Sequence, residues 1–459
     1  MRIRSLALAS TAAFIFAGAA GAAEPPAATP PAAKPGLEKV GHIVVLFLEN
    51  RSFDNLYGLF PGADGIANAG ATATQTDRDG KPYDQLPLVM NVNIKPPLVD
   101  NRFPDNLPNK PFRADAYAGL DQTTGDLVHR FYQQQEQING GKMDRFAAIS
   151  DAGGLAMSYF DGSRLPLWRY AQTYTLADNF FHGAFGGSFL NHMFLVCACT
   201  PEFKAAPESI RATLNPDGTL KKDGAVTPDG FAVNTIYSSF TPRPAAANDP
   251  AKLLPPQEAT TIGDRLTAKG VDWAWYSGGW NDAIAGHPDM SFQFHHQPFA
   301  YFKAYGDGTE ARAKHLKDGV DFIEAINAGT LPPVSFYKPI GVANEHPGYT
   351  SVLAGDRQAA DIIALIERSP IWKDTVVIVT YDENGGYWDH VAPPKVDRWG
   401  PGMRIPTLVI SPLAKKGFVD HTPYDTTSVL KLIETRHGLA PLADRDAKAN
   451  DLTNTLELN

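Results

Sequence analysis

The chain contains five short apolar runs that are almost continuous, and each run ends at polar or turn-forming residues. Strands covered by helices on both faces show this pattern, whereas half-exposed strands alternate apolar and polar residues. The runs are His42–Leu48, 271–276, 334–337, Thr375–Tyr381 and 407–411. Helical periodicity lies between them, at 322–326, 359–366 and 429–433. Strands that alternate with helices predict an α/β fold, an α/β/α sandwich around a mostly parallel sheet.

Two segments interrupt this alternation. Residues 91–111 and 201–256 are rich in proline, aspartate and other small or turn-forming residues, a composition typical of loops. We therefore expect loop-rich insertions into one domain that covers residues 37–459, because large α/β folds often use a chain of this length for a single unit.

The first 23 residues have the layout of a secretory signal peptide. Arg2 and Arg4 supply positive charge, residues 6–16 are apolar, and residues 20–22 (AGA) match a cleavage site of the A-x-A type. The sequence thus predicts Sec-type export to the periplasm or the medium. Residues 24–36 are rich in proline and alanine and predict a spacer. Because the apolar stretch is short for a bilayer span, we expect no stable membrane insertion.

The charge of the chain argues against one class of function, and its cysteine content limits the disulfides that it can form. A net charge of −9 and a pI near 5.7, without a basic stripe, argue against a general nucleic-acid binder. The two cysteines, Cys197 and Cys199, form a Cys-Ala-Cys sequence. They are either joined in a local disulfide or buried as thiols, and two cysteines cannot provide a disulfide framework.

Acidic and amide residues follow two of the predicted strands directly. Glu49 and Asn50 come after the first run, and Asp382 and Glu383 come after the run Thr375–Tyr381. Ligands bind beyond the carboxyl ends of strands in open parallel sheets, so these side chains are expected to meet. Clustered carboxylates repel one another unless a cation lies between them. Oxygen ligands favour Ca²⁺, Mg²⁺ or Mn²⁺, while nearby histidines leave Zn²⁺ or Fe open.

Ser188 has the setting of a nucleophile. It follows Gly186 and Gly187 and opens an apolar helical run over residues 189–196. The N-terminus of a helix offers free N–H groups and the positive end of the dipole, which suit attack on an anionic phosphorus centre. The lipase-type G-x-S-x-G elbow is excluded because Leu190 stands at the last glycine position. The alternative is an ordinary N-cap serine.

Several motifs together resemble the bacterial phosphoesterase family, which contains phospholipases C and acid phosphatases and has an alkaline-phosphatase-like fold. The resemblance runs from about Val40 to the C-terminal region. A block at residues 126–144 is most similar to the acid-phosphatase branch. The matching segments are 49–54 (ENRSFD), 185–188 (FGGS), 345–347 (EHP) and 381–391 (YDENGGYWDHV).

The resemblance implies a metal site and a nucleophile. By position, Glu49, Asn50, Asp382 and Glu383 would hold one divalent metal ion, and the Ser188 hydroxyl would complete its shell. Ser188 would then form a phosphoserine intermediate that water hydrolyses. Family members commonly carry prolines at two positions of the serine loop where this chain has Gly187 and Leu190, so the loop is expected to differ in shape.

Histidines in the matching blocks supply candidate contacts to the substrate. His346 is the predicted general acid, because protonating the leaving oxygen requires a group that titrates near neutral pH. The other predicted substrate contacts are His129, Lys142, His295, His296 and His390. His296 and His390 either bind the phosphoryl group or steady the metal site. Each histidine alone is as readily a structural hydrogen-bonding residue, and Lys142 a solvated surface lysine.

These residues predict an exported, metal-dependent phosphomonoesterase, an acid phosphatase. Protonated histidines would bind the dianionic phosphate of a monoester strongly. Because they lose their charge as the pH rises, they would give the enzyme an acidic pH optimum. The alternative enzyme is a phospholipase C that cleaves a choline-type phosphodiester. A binding protein without catalytic activity would not need all four predicted metal ligands together with Ser188. A sulfatase is disfavoured because residues 197–199 lack the Pro/Ala-x-Arg continuation that formylglycine conversion requires. The sequence leaves the oligomeric state undetermined.

Overall fold

The computed structural model describes residues 29–458. The predicted signal peptide, residues 1–23, lies outside the described residues, as does the beginning of the spacer. The described end of the spacer is anchored to the C-terminal region, because the Lys34 ammonium lies 2.7 Å from the Asp451 carboxylate. Leu37, where the domain was predicted to begin, is buried in the core.

The described residues contain one large sheet and several two-stranded ribbons. In chain order the strands are β1 (His42–Leu48), β2 (Met90–Asn91), β3 (Leu98–Val99), β4 (Phe112–Arg113), β5 (Ser158–Tyr159), β6 (Thr175–Ala177), β7 (Phe180–Phe181), β8 (Thr213–Leu214), β9 (Leu220–Lys222), β10 (Trp273–Ser277), β11 (Leu316–Asp318), β12 (Val334–Lys338), β13 (Thr375–Tyr381), β14 (Thr407–Ile410), β15 (Phe418–Asp420) and β16 (Tyr424–Asp425).

Eight strands build the large sheet in the order β11-β10-β12-β1-β13-β14-β6-β15. The five strands from β11 to β13 are mutually parallel, and β14 runs antiparallel to both of its neighbours. The two central strands, β1 and β13, are buried along almost their whole length. A strand surrounded in this way requires the continuous apolar sequence seen in the chain.

Helices cover both faces of the sheet. They are α1 (Phe53–Tyr57), α2 (Phe131–Ile138), α3 (Phe146–Ile149), α4 (Pro166–Thr173), α5 (Ser188–Cys197), α6 (Ile262–Ala268), α7 (Trp280–Ile284), α8 (Glu310–His315), α9 (Gly319–Ala328), α10 (Val352–Arg368), α11 (Thr426–His437) and α12 (Asp444–Lys448).

Two neighbouring residues of β10 show that the helices form two layers. Tyr276 packs on Phe322 of α9, while Trp275 packs on His192 of α5. Adjacent residues of a strand point to opposite faces, so α5 and α9 lie on opposite sides. Helix α10 packs with α9 and with α4, and α6 and α11 pack with α5. The predicted α/β/α sandwich around a mostly parallel sheet is therefore confirmed.

The boundaries differ in places from the sequence prediction. The run at 271–276 becomes the strand Trp273–Ser277, and the short strands β6, β11 and β15 were not predicted. Three residues are too few to produce a recognisable hydrophobic period. The two insertions contain short hairpins, β2 with β3 and β8 with β9, as expected for loop-rich segments.

The structure decides between the two predicted states of the cysteines and bears on the predicted absence of membrane insertion. Cys197 and Cys199 are joined in a disulfide at the end of α5. Within residues 29–458, none of the helices has both the length and the apolar character needed to cross a bilayer.

Candidate active site

Three adjacent strands of the sheet end at the same edge and deliver charged side chains there. Leu48 of β1 is in register with Tyr381 of β13, so Glu49 and Asp382 leave the sheet side by side. On the other side of β1, strand β12 ends at Lys338. All three side chains are fully buried. The expectation that separate strand ends would bring acidic residues together therefore agrees with the structure.

The turns after β1 and β13 are packed against each other. Asn50 has a left-handed backbone (φ 59°), and a Cβ on Gly385 (φ 59°) would lie 2.5 Å from the Asn50 Cβ. Glycine is thus required at 385 both for its conformation and for the close approach. The Asp382 carboxylate fixes the arrangement, since its Oδ1 accepts the N–H of Asn50 at 3.1 Å and that of Glu383 at 2.9 Å.

Four oxygen-bearing side chains converge beside these turns. One terminal atom of the Asn50 amide lies 2.8 Å from Glu383 Oε1 and 3.0 Å from Glu49 Oε2. The Ser188 hydroxyl donates to Glu383 Oε1 at 2.9 Å and lies 3.5 Å from Glu49 Oε2. The predicted ligands Asn50 and Ser188 thus each lie beside both Glu49 and Glu383. The carboxylates of Glu49, Asp382 and Glu383 have oxygens within 4.8 Å of one another.

The charge of this cluster fits a divalent cation. Glu49, Asp382 and Glu383 bring three carboxylates, and Lys338 brings one positive charge, so two negative charges remain. Burial and the neighbouring Asp382 raise the pKa of Glu383 well above its usual value, because its ionised form lacks a sufficient counter-charge. A single divalent ion would balance the cluster. It would also allow the Asn50 amide to turn its oxygen toward the two carboxylates, an orientation that is repulsive without a cation.

Lys338 is a member of the site that sequence reasoning missed. Its ammonium lies 2.9 Å from Glu49 Oε1 and 3.1 Å from Asp382 Oδ2, and donates to the Leu48 carbonyl at 3.1 Å. Burial alone would favour the neutral amine, but Asp382 and Glu49 outweigh it and raise the pKa of Lys338. The sequence feature that could have identified Lys338 is its position directly after the apolar run at 334–337, which corresponds to the position of the acidic residues after the neighbouring strands.

Ser188 is the first residue of α5 and opens onto a cleft. Gly187 is the N-cap, with φ −105°, and Gly186 before it has φ 94°, a left-handed conformation that favours glycine. The cleft has a volume of about 370 Å³, and the residues 126–130, Asp151 and Asn234 are among those that line it with Ser188. The hydroxyl is therefore at the start of a ten-residue helix, beside the carboxylate cluster, and reachable from solvent.

His129 lines the same cleft, and His346 lies next to it, with the two ring centroids 6.1 Å apart. Nδ1 of His346 is 2.5 Å from the Pro347 carbonyl, and Nδ1 of His129 is 2.5 Å from the Leu127 carbonyl. Each ring therefore carries a proton on Nδ1 and presents Nε2 to the site. Nε2 of His346 lies 3.1 Å from the Asn50 amide and 3.8 Å from Glu49, and Nε2 of His129 lies 3.7 Å from Glu383.

His295 and His296 lie behind Glu49, away from the cleft. Nε2 of His296 is 2.5 Å from Glu49 Oε1, and its ring stacks on His192 at 5.3 Å. Burial and the neighbouring His296 lower the pKa of His295 to about 3, and burial with Lys338 lowers the pKa of His296 well below its usual value. Burial thus favours the uncharged form of both rings. His296 lies against the predicted metal ligand Glu49, which fits the predicted alternative that it steadies the metal site.

His192 is a further site residue that the sequence did not single out. It is buried on α5, and its Nδ1 lies 2.7 Å from the Ser188 carbonyl. Its other face packs on Phe47 of β1 at 4.9 Å. The ring thereby ties the turn that carries Ser188 to the strand that carries Glu49.

Two predicted substrate contacts are not brought to the cluster. The ring nitrogens of His390 face the carboxylates of Asp54 at 2.7 Å and Asp64 at 3.2 Å, in a separate buried network with Arg404. Lys142 is exposed after α2, where its backbone N–H donates to the Asn139 carbonyl.

Solved structures with a similar chain course include alkaline-phosphatase superfamily members, but the likeness is distant. A protein of that superfamily from Vibrio parahaemolyticus matches with TM-score 0.34 and 11% identity, covering 64% of this chain and 65% of the other. The lipoteichoic acid synthase LtaP from Listeria monocytogenes matches with TM-score 0.35 and 9% identity, covering 90% and 78%. Scores this low carry no argument by themselves, and the fold class rests on the topology above.

Sequence relatives are more informative. The chain is 25% identical to phospholipase C B of Mycobacterium tuberculosis, covering 91% of this chain and 78% of that protein. It is 26% identical to the non-hemolytic phospholipase C of Burkholderia pseudomallei, covering 87% and 55%. The model of the Phosphoesterase family matches residues 40–440. These findings make the protein a hydrolase acting on phosphoric ester bonds. The chain belongs to the Phosphoesterase family, as the motifs around Glu49, Ser188 and Asp382 predicted.

Proposed function

We propose that the protein is an exported, metal-dependent phosphodiesterase of the phospholipase C type, with Ser188 as the nucleophile. The observation that carries the reaction is the position of the Ser188 hydroxyl. It opens α5, faces the cleft, and donates to Glu383 at 2.9 Å within a cluster of oxygen ligands. The signal-like residues 1–23 support export, which would bring the enzyme to lipid phosphodiesters outside the cytoplasm.

The chain's own residues account for the proton movements of the proposed reaction. A divalent ion held by Glu49, Asn50, Asp382 and Glu383 would supply charge neutralisation and Lewis acidity. Ser188 Oγ loses its proton toward Glu383, to which it already donates, and forms the bond to phosphorus. The bond to the leaving alcohol breaks as His346 Nε2 gives that oxygen a proton. Water then attacks phosphorus and gives a proton to His346, the bond between phosphorus and Ser188 Oγ breaks, and Oγ takes back its proton from Glu383.

The distribution of cations favours a diester over a monoester. Five side chains were expected to offer positive charge to the phosphate, together with the general acid His346. Of the five, His295 and His296 are buried, which lowers the pKa of each ring, and His390 and Lys142 lie away from the cluster. His129 and His346 present Nε2 to the oxygen cluster, while the Lys338 ammonium is already paired with Glu49 and Asp382. A singly charged diester needs fewer cations than a dianionic monoester, and the curated relatives named phospholipase C support the same choice.

Hydrolysis of two aryl esters with the same leaving group tests the substrate class. We expect kcat/KM for an aryl phosphorylcholine to exceed that for an aryl phosphate by at least about tenfold, equivalent to roughly 1.4 kcal/mol of differential transition-state binding. Ser188→Ala protein, purified in parallel, gives the background rate for each compound. A ratio in favour of the aryl phosphate would make the acid phosphatase predicted from the sequence the better description.

Removal of the metal is expected to abolish turnover, and the affinity for the metal is expected to fall as the pH is lowered. Asp382→Asn should lose both bound metal and activity, because Asp382 organises Asn50 and Glu383 around the site. The pKa of Glu383 is raised in the metal-free protein, so protons compete with the ion and metal affinity should fall as pH is lowered. Metal content by mass spectrometry after dialysis at several pH values provides the measurement.

Asp356→Asn is the matched control for this experiment. Asp356 is also buried, burial raises its pKa to about 7, and its Oδ1 accepts the Leu167 N–H, which an amide oxygen can replace. This variant should keep its metal. Full activity in protein shown to contain no metal would contradict the proposal.

A further inference from the structure

Seven consecutive residues at the end of the β2–β3 hairpin, 93–99, are exposed. Their sequence is Asn-Ile-Lys-Pro-Pro-Leu-Val, and we call this segment the apolar tip. Ile94 is 44% exposed, Leu98 54% and Val99 41%. Single exposed apolar residues are ordinary on protein surfaces, but a contiguous group marks an interaction site.

The apolar tip stands at the mouth of the catalytic cleft. Asn93 and Lys95 line the same cleft as Ser188. The base of the tip is fixed, because Asn93 Oδ1 accepts the N–H of Asp126 at 3.1 Å and its Nδ2 donates to the Thr124 carbonyl at 3.3 Å. Two successive prolines, Pro96 and Pro97, restrict the backbone of the tip, so ordering it against a partner costs little entropy.

Further exposed apolar residues lie in segments next to His346. Tyr349 is 41% exposed, and its ring packs on His346 at 4.4 Å. Val342 is 55% exposed and Met290 98%. Their segments are adjacent, since a Cβ on Gly341 would lie 2.6 Å from the Ser291 carbonyl and 3.2 Å from Tyr349. Apolar side chains are therefore exposed beside His346 as well as at the apolar tip.

We propose that the apolar tip inserts into the surface of a phospholipid bilayer and sets the mouth of the cleft against the headgroups. The inference rests on the proposed function, because a lipid phosphodiester must be taken from such a surface. Apolar side chains beside a lysine are the combination that binds at a membrane interface, with the ammonium of Lys95 placed to meet lipid phosphate. The net charge of −9 gives no general attraction to lipid phosphates, so apolar contact must provide the binding.

Vesicle binding by the full chain tests this inference. Sucrose-loaded phosphatidylcholine vesicles are sedimented with protein carrying Ser188→Ala, so that no lipid is consumed. Adding Ile94→Asp with Leu98→Asp should weaken binding about 30-fold or more, since two apolar side chains are lost from the lipid contact. The matched control is Leu59→Asp with Val396→Asp, at positions 43% and 55% exposed that do not line the cleft.

The same substitutions in protein with Ser188 intact separate this inference from the proposed function. Both double variants should hydrolyse soluble aryl phosphorylcholine like the unmodified enzyme, and the tip variant alone should lose activity on vesicles. Equal vesicle binding by the two variants, no binding by the unmodified chain, or loss of a dimer in the tip variant by sedimentation velocity would overturn the inference. If soluble aryl phosphorylcholine is not cleaved, the proposed function fails while vesicle binding still decides the role of the tip.

Discussion

Ser188→Ala protein should lose turnover by about 10⁴-fold or more, because a methyl group cannot attack phosphorus and no covalent intermediate can form. The metal content should be nearly unchanged, since Glu49, Asn50, Asp382 and Glu383 all remain. In the unmodified enzyme, acid quenching during turnover should trap a phosphate adduct. Intact-mass analysis followed by peptide mapping should locate the adduct at Ser188.

Ser163→Ala is the appropriate control for this substitution. Ser163 is an exposed serine in the turn after β5, where its backbone N–H donates to Asp161. Its loss should leave turnover within about twofold of the unmodified enzyme, as is usual for surface positions. Near-normal activity of Ser188→Ala would place the nucleophile elsewhere, and Thr200, whose buried hydroxyl lacks a partner among the described residues, would be examined next.

The sheet could be predicted well where its strands are long and fully buried. β1 and β13 each have seven residues of nearly continuous apolar sequence, and their boundaries match the prediction. The edge strands β11 and β15 have three residues each and were missed, because their formation depends on pairing with neighbours and not on a local pattern. Strand ends follow from strand position, so Glu49 and Asp382 could be placed at one edge from sequence alone.

The site was harder to predict where burial or chain direction decides the outcome. Lys338 ends an apolar strand, and a lysine at a strand end is ordinarily exposed to solvent. Its role in the site becomes apparent once the neighbouring carboxylates are located. His390 follows Asp382 closely in sequence, but Gly385 and Gly386, both with positive φ, turn the chain toward Asp54 instead. The charge state of His295 depends on its enclosure by other segments, which local sequence does not reveal.

Lys338→Met should produce the largest loss of stability of the substitutions considered. Removing the ammonium leaves Glu49 Oε1 and Asp382 Oδ2 without their main counter-charge, fully buried. Breaking a buried ion pair by removing one partner typically costs about 3–5 kcal/mol. Without metal, the variant should therefore melt at a clearly lower temperature and unfold at lower denaturant concentration. Its kcat/KM should also fall, by about 10³-fold, because Glu49 and Asp382 lose their fixed positions.

The response to divalent cations distinguishes this charge role from simple packing. The variant cluster keeps its three carboxylates but loses the buried ammonium, so an added divalent ion should raise its melting temperature more than that of the unmodified protein. Lys317→Met is the control, because Lys317 lies on β11 of the same sheet and its ammonium donates to the Ala313 carbonyl in an exposed position. If Lys338→Met and Lys317→Met melt alike and respond equally to metal, Lys338 does not balance the cluster. A larger rise in melting temperature on adding metal to Lys338→Met than to Lys317→Met would instead show that the ammonium and the metal neutralise the same carboxylates.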